Sequence, residues 1–165
     1  MILKKLKSVV KFIIHGSSLE ELVYESSSIG RNGFVNKVRL ENIKRKIQSK
    51  YASNISSRCQ FGSNLMFKHP IGIVIGDGVK IGSNVTIYQN VTIGARRLGE
   101  GKVNLYPTLG NNITVYTGAV ILGNVKIGND CIIAANAVVL KDMPAGTIAK
   151  GVPAIISCNR NIISS

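Results

Sequence analysis

The chain has 165 residues and a formal net charge of +13; 45% of its residues are hydrophobic and 18% are charged. The apolar content excludes a disordered tail, and the 17 glycines lack the three-residue period of collagen. Aromatic residues make up 5% and Trp is absent, so any core must be built from Val, Ile, Leu and Ala. Three scattered cysteines without a C-x-x-C pair disfavour a disulfide framework and a thiolate zinc site, and they indicate a reducing compartment.

The positive charge is concentrated near the N-terminus. Residues 1–60 carry twelve basic and four acidic side chains, whereas residues 61–165 carry nine and four. Such a surface favours anionic partners, namely phosphates, acidic lipid or nucleic acid. Aromatic stacking platforms are scarce, which disfavours nucleic acid as the partner.

Residues 1–53 are predicted to form a helical region. Between residues 2 and 13, apolar side chains recur at helical spacing opposite a lysine face. This amphipathic helix packs on its own domain or on a sister subunit, or else it lies on an anionic membrane surface. Lys11 interrupts the apolar stretch that a signal peptide needs, and no window is long enough to span a bilayer. We therefore expect a cytoplasmic protein, with peripheral contact at the inner face of the plasma membrane as the alternative.

Two further helices are predicted before residue 53. Ser18 followed by acidic residues resembles an N-cap. After a break at glycines 30 and 33, residues 36–50 read as a helix that buries Val38, Ile43 and Ile47.

From residue 55 onward the helical period is replaced by a period of six. Large aliphatic residues stand six apart in two runs, and most have a second apolar residue four positions later. The lead residues are Ile75, Ile81, Ile87, Ile93, Leu109, Val115, Ile121, Ile127, Ile133 and Val139. Six residues per side close a three-sided prism in eighteen, and Gly and Asn tolerate left-handed backbone angles at its corners. Ten in-phase positions disfavour an ordinary β-sandwich.

The repeat resembles that of the hexapeptide-repeat acyltransferases, whose fold is a left-handed parallel β-helix. The match covers residues 54–157 and is closest to the serine acetyltransferase branch, through the run from Lys68 to Gly76 and the cap from Val138 to Ala154. We therefore expect a mainly β chain with a short N-terminal α-helical region, a β-helix over residues 54–157 and a tail over 158–165. The resemblance further implies a homotrimer, or a dimer of trimers, that binds acetyl-CoA between neighbouring subunits.

Residues 95–108 interrupt the repeat and are predicted to form a flexible loop. Ile93 and Leu109 are sixteen residues apart, ten more than one repeat requires, and the insertion contains three cations. Loops extruded from a regular scaffold often carry function, so this one is expected to border the acetyl-CoA groove. A solvated spacer is the alternative.

His69 is the candidate general base, because it occupies the position of the family's catalytic histidine and is the only histidine after residue 15. In the implied mechanism, neutral His69 takes the proton of a hydroxyl that attacks the thioester of acetyl-CoA. One histidine cannot make a three-histidine zinc site, so no metal is expected. By resemblance, Gly94, Thr117, Gly118 and Ala135 border the pantetheine arm, and Lys141 and Lys150 meet the phosphates of CoA.

Four positions depart from the serine acetyltransferase pattern. Lys68 replaces an Asp, Leu105 and Tyr106 replace an Arg-His pair, and Asn54 replaces the Asp that orients the catalytic histidine. Loss of these charges weakens the case for a serine acceptor. The expectation is an O-acetyltransferase acting on a sugar or glycan of capsule, O-antigen or exopolysaccharide, with Lys68 and Tyr106 at the acceptor. The alternatives are a serine O-acetyltransferase of cysteine biosynthesis and a non-enzymatic β-helix scaffold; O- versus N-acetylation stays open.

Overall fold

A computed structural model describes residues 18–97 and 105–158 of the chain. The predicted amphipathic helix over residues 2–13, half of the inserted loop and nearly all of the C-terminal tail lie outside these ranges. Whether the helix over residues 2–13 packs on protein or lies on a membrane surface therefore stays a prediction. In the part of the chain that the structure describes, no helix combines the length and the hydropathy that crossing a membrane requires.

Two helices precede the repeats: α1 (Leu19–Ser28) and α2 (Phe34–Tyr51). The predicted cap at Ser18 is confirmed, because Ser18 Oγ accepts the backbone N–H of Glu21 at 3.2 Å and the Glu21 carboxylate accepts that of Ser18 at 3.0 Å. Helix α2 buries Ile43 and Ile47 as expected. The prediction that Val38 is inward is wrong: it is 43% exposed, and Phe34 and Val35 in the preceding turn of α2 are more exposed still.

Short parallel strands then stack into a prism with three faces. The first face contains β1 (Asn54–Ile55), β4 (Val74–Ile75), β7 (Thr92–Gly94), β10 (Val120–Leu122) and β13 (Val138–Val139). The second face contains β2 (Gln60–Phe61), β5 (Lys80–Ile81), β8 (Thr108–Leu109) and β11 (Lys126–Ile127). The third face contains β3 (Met66–Phe67), β6 (Thr86–Ile87), β9 (Thr114–Val115), β12 (Ile132–Ile133), β14 (Thr147–Lys150) and β15 (Ile155–Cys158).

The lead residues of the six-residue period form the core, as predicted. All ten are at most 4% exposed, and the second apolar residue of each repeat is buried beside them. Burying an aliphatic side chain of this size stabilises a fold by about 1.5–3 kcal/mol. The second set comprises Val79, Val85, Val91, Ile113, Ala119, Val125, Cys131 and Ala137.

Asparagines at the corner between the second and third faces support the stacking of coils. Asn64 donates its side-chain amide to Asn84 at 2.9 Å, Asn84 donates to Asn112 at 3.0 Å, and Asn112 donates to Asp130 at 2.9 Å. All four residues have φ between 56° and 57°. Left-handed corner positions are thus occupied by some of the asparagines of the repeat, whereas Asn111, Asn124 and Asn129 do not have positive φ.

Coil length varies at two places, and both concern the candidate site. Val120 pairs with Val138, 18 residues later, as in a regular coil. Asn54 pairs with Val74, 20 residues later, so this coil has two extra residues. Thr92 pairs with Val120, 28 residues later, which accounts for the ten inserted residues. The strands on both sides of each excess keep their parallel pairing.

Both ends of the prism are covered. At the first coil, the Glu20 carboxylate accepts the backbone N–H of Phe67 at 2.7 Å, and the Tyr24 hydroxyl accepts that of Leu65 at 3.3 Å. Helix α1 thus satisfies donors that an edge strand would otherwise present to water or to another chain. At the other end, β15 pairs antiparallel with β14.

Candidate active site

His69 lies on the two-residue excess between β3 and β4, and its side chain is exposed. Its backbone is left-handed, with φ of 50°, a conformation in which His is enriched among non-glycine residues. Its carbonyl accepts the N–H of Ile71 at 2.7 Å, which closes a tight turn around Pro70. Within the described residues the imidazole makes no hydrogen bond. Its ring contact is with Tyr88, at 6.5 Å between centroids.

We call the corner between the third and first faces the histidine corner; it contains residues 68–73, 88–91, 116–119 and 134–137. Three residues predicted to border the pantetheine arm lie here, in the two coils beyond Tyr88: Thr117, Gly118 and Ala135. Thr117 is half-buried and Ala135 is exposed, so both are accessible in the protomer. The structure therefore brings this part of the predicted site to the same edge as His69.

A column of outward residues runs along this corner beside His69. Backbone hydrogen bonds place Lys68, Tyr88, Tyr116, Ala134 and Lys150 in register on successive coils. The rings of Tyr88 and Tyr116 are stacked, with centroids 5.1 Å apart and an interplanar angle of 26°. Sequence reasoning missed the tyrosine pair. The signal was available, because each residue follows a core residue of a third-face strand.

The remaining predicted ligand residues lie at a different corner. We call the corner between the first and second faces the loop corner; it contains residues 76–79, 94–97 with 105–107, 122–125 and 140–142. Gly94, Tyr106 and Lys141 are found here, across the first face from His69. The Tyr106 ring packs so closely on Gly76 that a Cβ at that glycine would lie 2.9 Å from the ring. By contrast, a Cβ built on Gly94 meets no atom within 4 Å.

Asn54, predicted to orient His69, lies on the first face and makes no hydrogen bond with the imidazole in the described residues. It lines a cavity of about 410 Å³ between α2 and the first coil, together with Ser56, Arg58 and Asp77. His69 is not among the residues that line this cavity. An orienting role for Asn54 stays a prediction.

Other reactive groups do not join His69. Cys59 is buried, and desolvation raises the pKa of its thiol to about 12, with Asp77 adding to the rise while a backbone hydrogen bond opposes it. It is therefore a neutral core thiol rather than a nucleophile. Residues 18–97 and 105–158 contain no group of three or more His, Cys, Asp or Glu side chains that could hold a metal ion.

Comparison with known proteins identifies the repeat. Residues 106–141 match the family model "Bacterial transferase hexapeptide (six repeats)", and residues 55–89 match "Hexapeptide repeat of succinyl-transferase". The repeat region of this chain is thus similar, over these two stretches, to hexapeptide-repeat transferases.

Curated relatives of this chain carry the name serine acetyltransferase, and two of them illustrate the match. The enzyme from Buchnera aphidicola subsp. Schizaphis graminum is 37% identical over 114 residues, which is 69% of this chain and 43% of the relative. The enzyme from Helicobacter pylori strain J99 is 45% identical over 95 residues, 58% of this chain and 54% of the relative. The chain thus spans about half the length of the curated relatives it matches.

Solved structures give the handedness of the prism. Soybean serine acetyltransferase complexed with serine superposes with a TM-score of 0.74 at 30% identity, over 83% of this chain and 55% of the other. A serine acetyltransferase complex with CoA superposes with a TM-score of 0.70 at 28% identity, over the same shares. The fold is the left-handed parallel β-helix of these enzymes, as the sequence predicted.

The expectation of a sugar acceptor in polysaccharide biosynthesis is wrong. The relatives and solved structures are serine acetyltransferases, and they favour the alternative reading. One of the departures behind that expectation also has another explanation. Tyr106 is half-buried and packs on Gly76, so its identity reflects the packing of the loop corner as well as any acceptor chemistry.

Proposed function

We propose that this chain is an acetyl-CoA-dependent serine O-acetyltransferase. The observation that carries the proposal is the exposed His69 on the two-residue excess of a β-helix related to serine acetyltransferases. Solved relatives have been obtained with serine and with CoA. Serine is the acceptor in the proposed reaction, and CoA is the product that the donor acetyl-CoA leaves.

His69 acts as the general base in this proposal. Its neutral imidazole takes the proton of the serine hydroxyl while the oxygen attacks the thioester carbonyl. The tetrahedral intermediate then collapses, the carbon–sulfur bond breaks, and the CoA sulfur leaves with the proton that His69 returns. Holding both substrates in one groove removes much of the entropic barrier.

Lys68 is proposed to hold the acceptor through its carboxylate. It is exposed and directly precedes His69, so its ammonium can pair with the carboxylate of an amino acid whose hydroxyl reaches the imidazole. A lysine presents a single point charge instead of a bidentate guanidinium. We expect Lys68→Met to raise the KM for serine with little change in kcat.

A homotrimer is proposed because one protomer separates the predicted CoA residues between two corners. Packing the loop corner of one subunit beside the histidine corner of a sister subunit would reunite Gly94 and Lys141 with His69. Three of the five outward residues of the first face are valines, namely Val74, Val120 and Val138, and the other two are Asn54 and Thr92. The outward row of the second face is polar, namely Gln60, Lys80, Thr108 and Lys126. The first face is therefore the better candidate for subunit contact.

The activity test follows the loss of thioester absorbance of acetyl-CoA with and without L-serine. His69→Asn is the informative variant, because Asn adopts the left-handed backbone angle without strain but provides no base. We expect serine-dependent turnover in the wild type and about a 10²–10⁴-fold lower kcat in the variant, with unchanged thermal stability. Absence of serine-dependent turnover, or full activity of His69→Asn, would overturn the proposal.

The assembly test compares two lysine substitutions at outward strand positions. Val120→Lys places a charge on the first face, whereas Thr108→Lys places the same charge on the second face. We expect the first variant to dissociate and lose activity while the second remains a trimer in sedimentation. A wild-type monomer with full activity would refute the shared site.

A further inference from the structure

The stacked tyrosines of the histidine corner have no role in the acid–base step, yet they lie beside it. Tyr88 approaches the His69 ring at 6.5 Å, and Tyr116 stacks on Tyr88 one coil further along the prism. Tyr88 is half-buried and Tyr116 is 39% exposed, so the pair presents an accessible aromatic surface. An exposed pair of stacked rings next to a candidate base suggests a binding surface.

We propose that Tyr88 and Tyr116 form the floor on which the pantetheine arm of acetyl-CoA lies. This inference rests on the proposed function, since it assigns residues to the donor of that reaction. The arm consists of methylene groups and two amides, a chemistry that packs well on aromatic faces. The family resemblance did not indicate these two tyrosines, so they add a binding surface to the predicted site.

The direction of the column favours the donor over the acceptor. The thioester must lie at His69, and the tyrosines extend from there towards the C-terminal coils. Two coils beyond Tyr116 the column ends at Lys150, an exposed cation. Because neighbouring strands are about 4.8 Å apart, Lys150 lies about 14 Å along the prism from Tyr88. Acetyl-CoA matches this order, because its thioester, its extended arm and its phosphates would meet His69, the tyrosines and Lys150 in turn. A small amino acid would reach only His69.

The flanking residues also support a ligand that lies along this corner. Ala134 lies in register between Tyr116 and Lys150, so the column has a small side chain directly beyond the Tyr116 ring. Thr117 and Ala135 adjoin the column on the same two coils, and both are accessible. Thr117 and Ala135 are also two of the residues predicted to border the pantetheine arm.

The experiment measures binding of three probes by calorimetry: CoA, pantetheine without the nucleotide, and adenosine 3′,5′-bisphosphate without the arm. We expect Tyr116→Ala to weaken the binding of CoA and of pantetheine about three- to tenfold and to leave the bisphosphate unchanged. Tyr116→Phe keeps the ring and should bind like the wild type. Phe34→Ala, which removes an 82% exposed ring on α2, is the matched control and should change nothing.

Steady-state kinetics separate the donor from the acceptor. We expect Tyr116→Ala to raise the KM for acetyl-CoA and to leave the KM for serine unchanged. If the variant binds CoA as the wild type does, or if the KM for serine rises instead, the inference is overturned while the proposed function stands. If the wild type binds no CoA at all, the proposed function and this inference fail together. Circular dichroism confirms that the Tyr116 variants remain folded.

Discussion

Gly94 and Gly118 were both predicted to border pantetheine, but only Gly118 has a structural reason to be glycine. Gly118 has φ of 68°, and a Cβ there would overlap the side-chain oxygen of Asn136 on the next coil. Gly94 has no left-handed backbone angle, and a Cβ there meets nothing within 4 Å. Alanine at the two positions should therefore have opposite consequences for folding and for binding.

The magnitudes follow from the backbone. Alanine in the left-handed region costs about 1–2 kcal/mol, and the amide of Asn136 must move as well. Replacing Gly by Ala also reduces the conformational entropy of the unfolded chain, which stabilises the folded protein by about 0.4–1 kcal/mol. This effect is the same in both variants and cancels when they are compared. For a chain of this length the difference corresponds to about 3–6 °C in Tm, with Gly118→Ala lower.

Thermal unfolding followed by circular dichroism, at one protein concentration, measures this difference. Gly94→Ala should unfold at or above the wild-type temperature and should raise the KM for acetyl-CoA, because its methyl group fills space at the groove. Equal unfolding temperatures for the two variants would refute the reasoning about Gly118. A Gly94→Ala enzyme with unchanged KM would remove Gly94 from the predicted site.

Three further predictions concern stability. Ile121→Ala, at a position with no exposed surface in β10, which has a neighbouring strand on each side, should cost about 2–5 kcal/mol in denaturant unfolding; a cost below 1 kcal/mol would contradict the shared core. Ser18→Ala should lower stability by about 1 kcal/mol through loss of the capping box with Glu21, and an unchanged midpoint would show that α1 does not need its cap. Burial raises the pKa of Cys59 from 9.0 to about 12, so the neutral thiol contributes fully to the free energy of unfolding below pH 9. Between pH 9 and 12 this contribution is lost by about 1.4 kcal/mol per pH unit. An equally steep fall of the free energy of unfolding with pH in Cys59→Ala would rule this out.

Much of the architecture was predictable because the repeat is local. A buried aliphatic residue every six positions, with a second one four later, defines which side chains face the axis regardless of how the coils are joined. The capping box at Ser18 is equally local, since it involves residues three apart. Val38 could not be placed in this way, because helical periodicity does not tell which turns of α2 have a neighbour to cover them.

The candidate site was predictable only in part. His69 was found because it interrupts the period and matches a family motif. The division of the predicted ligand residues between two corners was not foreseen, since Gly94 and Thr117 look alike when they are read as small residues in a repeat. The packing of Tyr106 on Gly76 likewise depends on how the inserted loop returns to the prism.

The amino-acid sequence alone determined the inward and outward sides of every coil, because that alternation depends only on neighbours along the chain. The tertiary structure decided which outward residues meet. Tyr88 and Tyr116 are 28 positions apart, yet they stack because β6 and β9 pair in register although the coil between them has ten more residues than a regular one. Contacts between coils depend on the number of residues in each turn of the prism, and that number is set by closure of the backbone around a shared core.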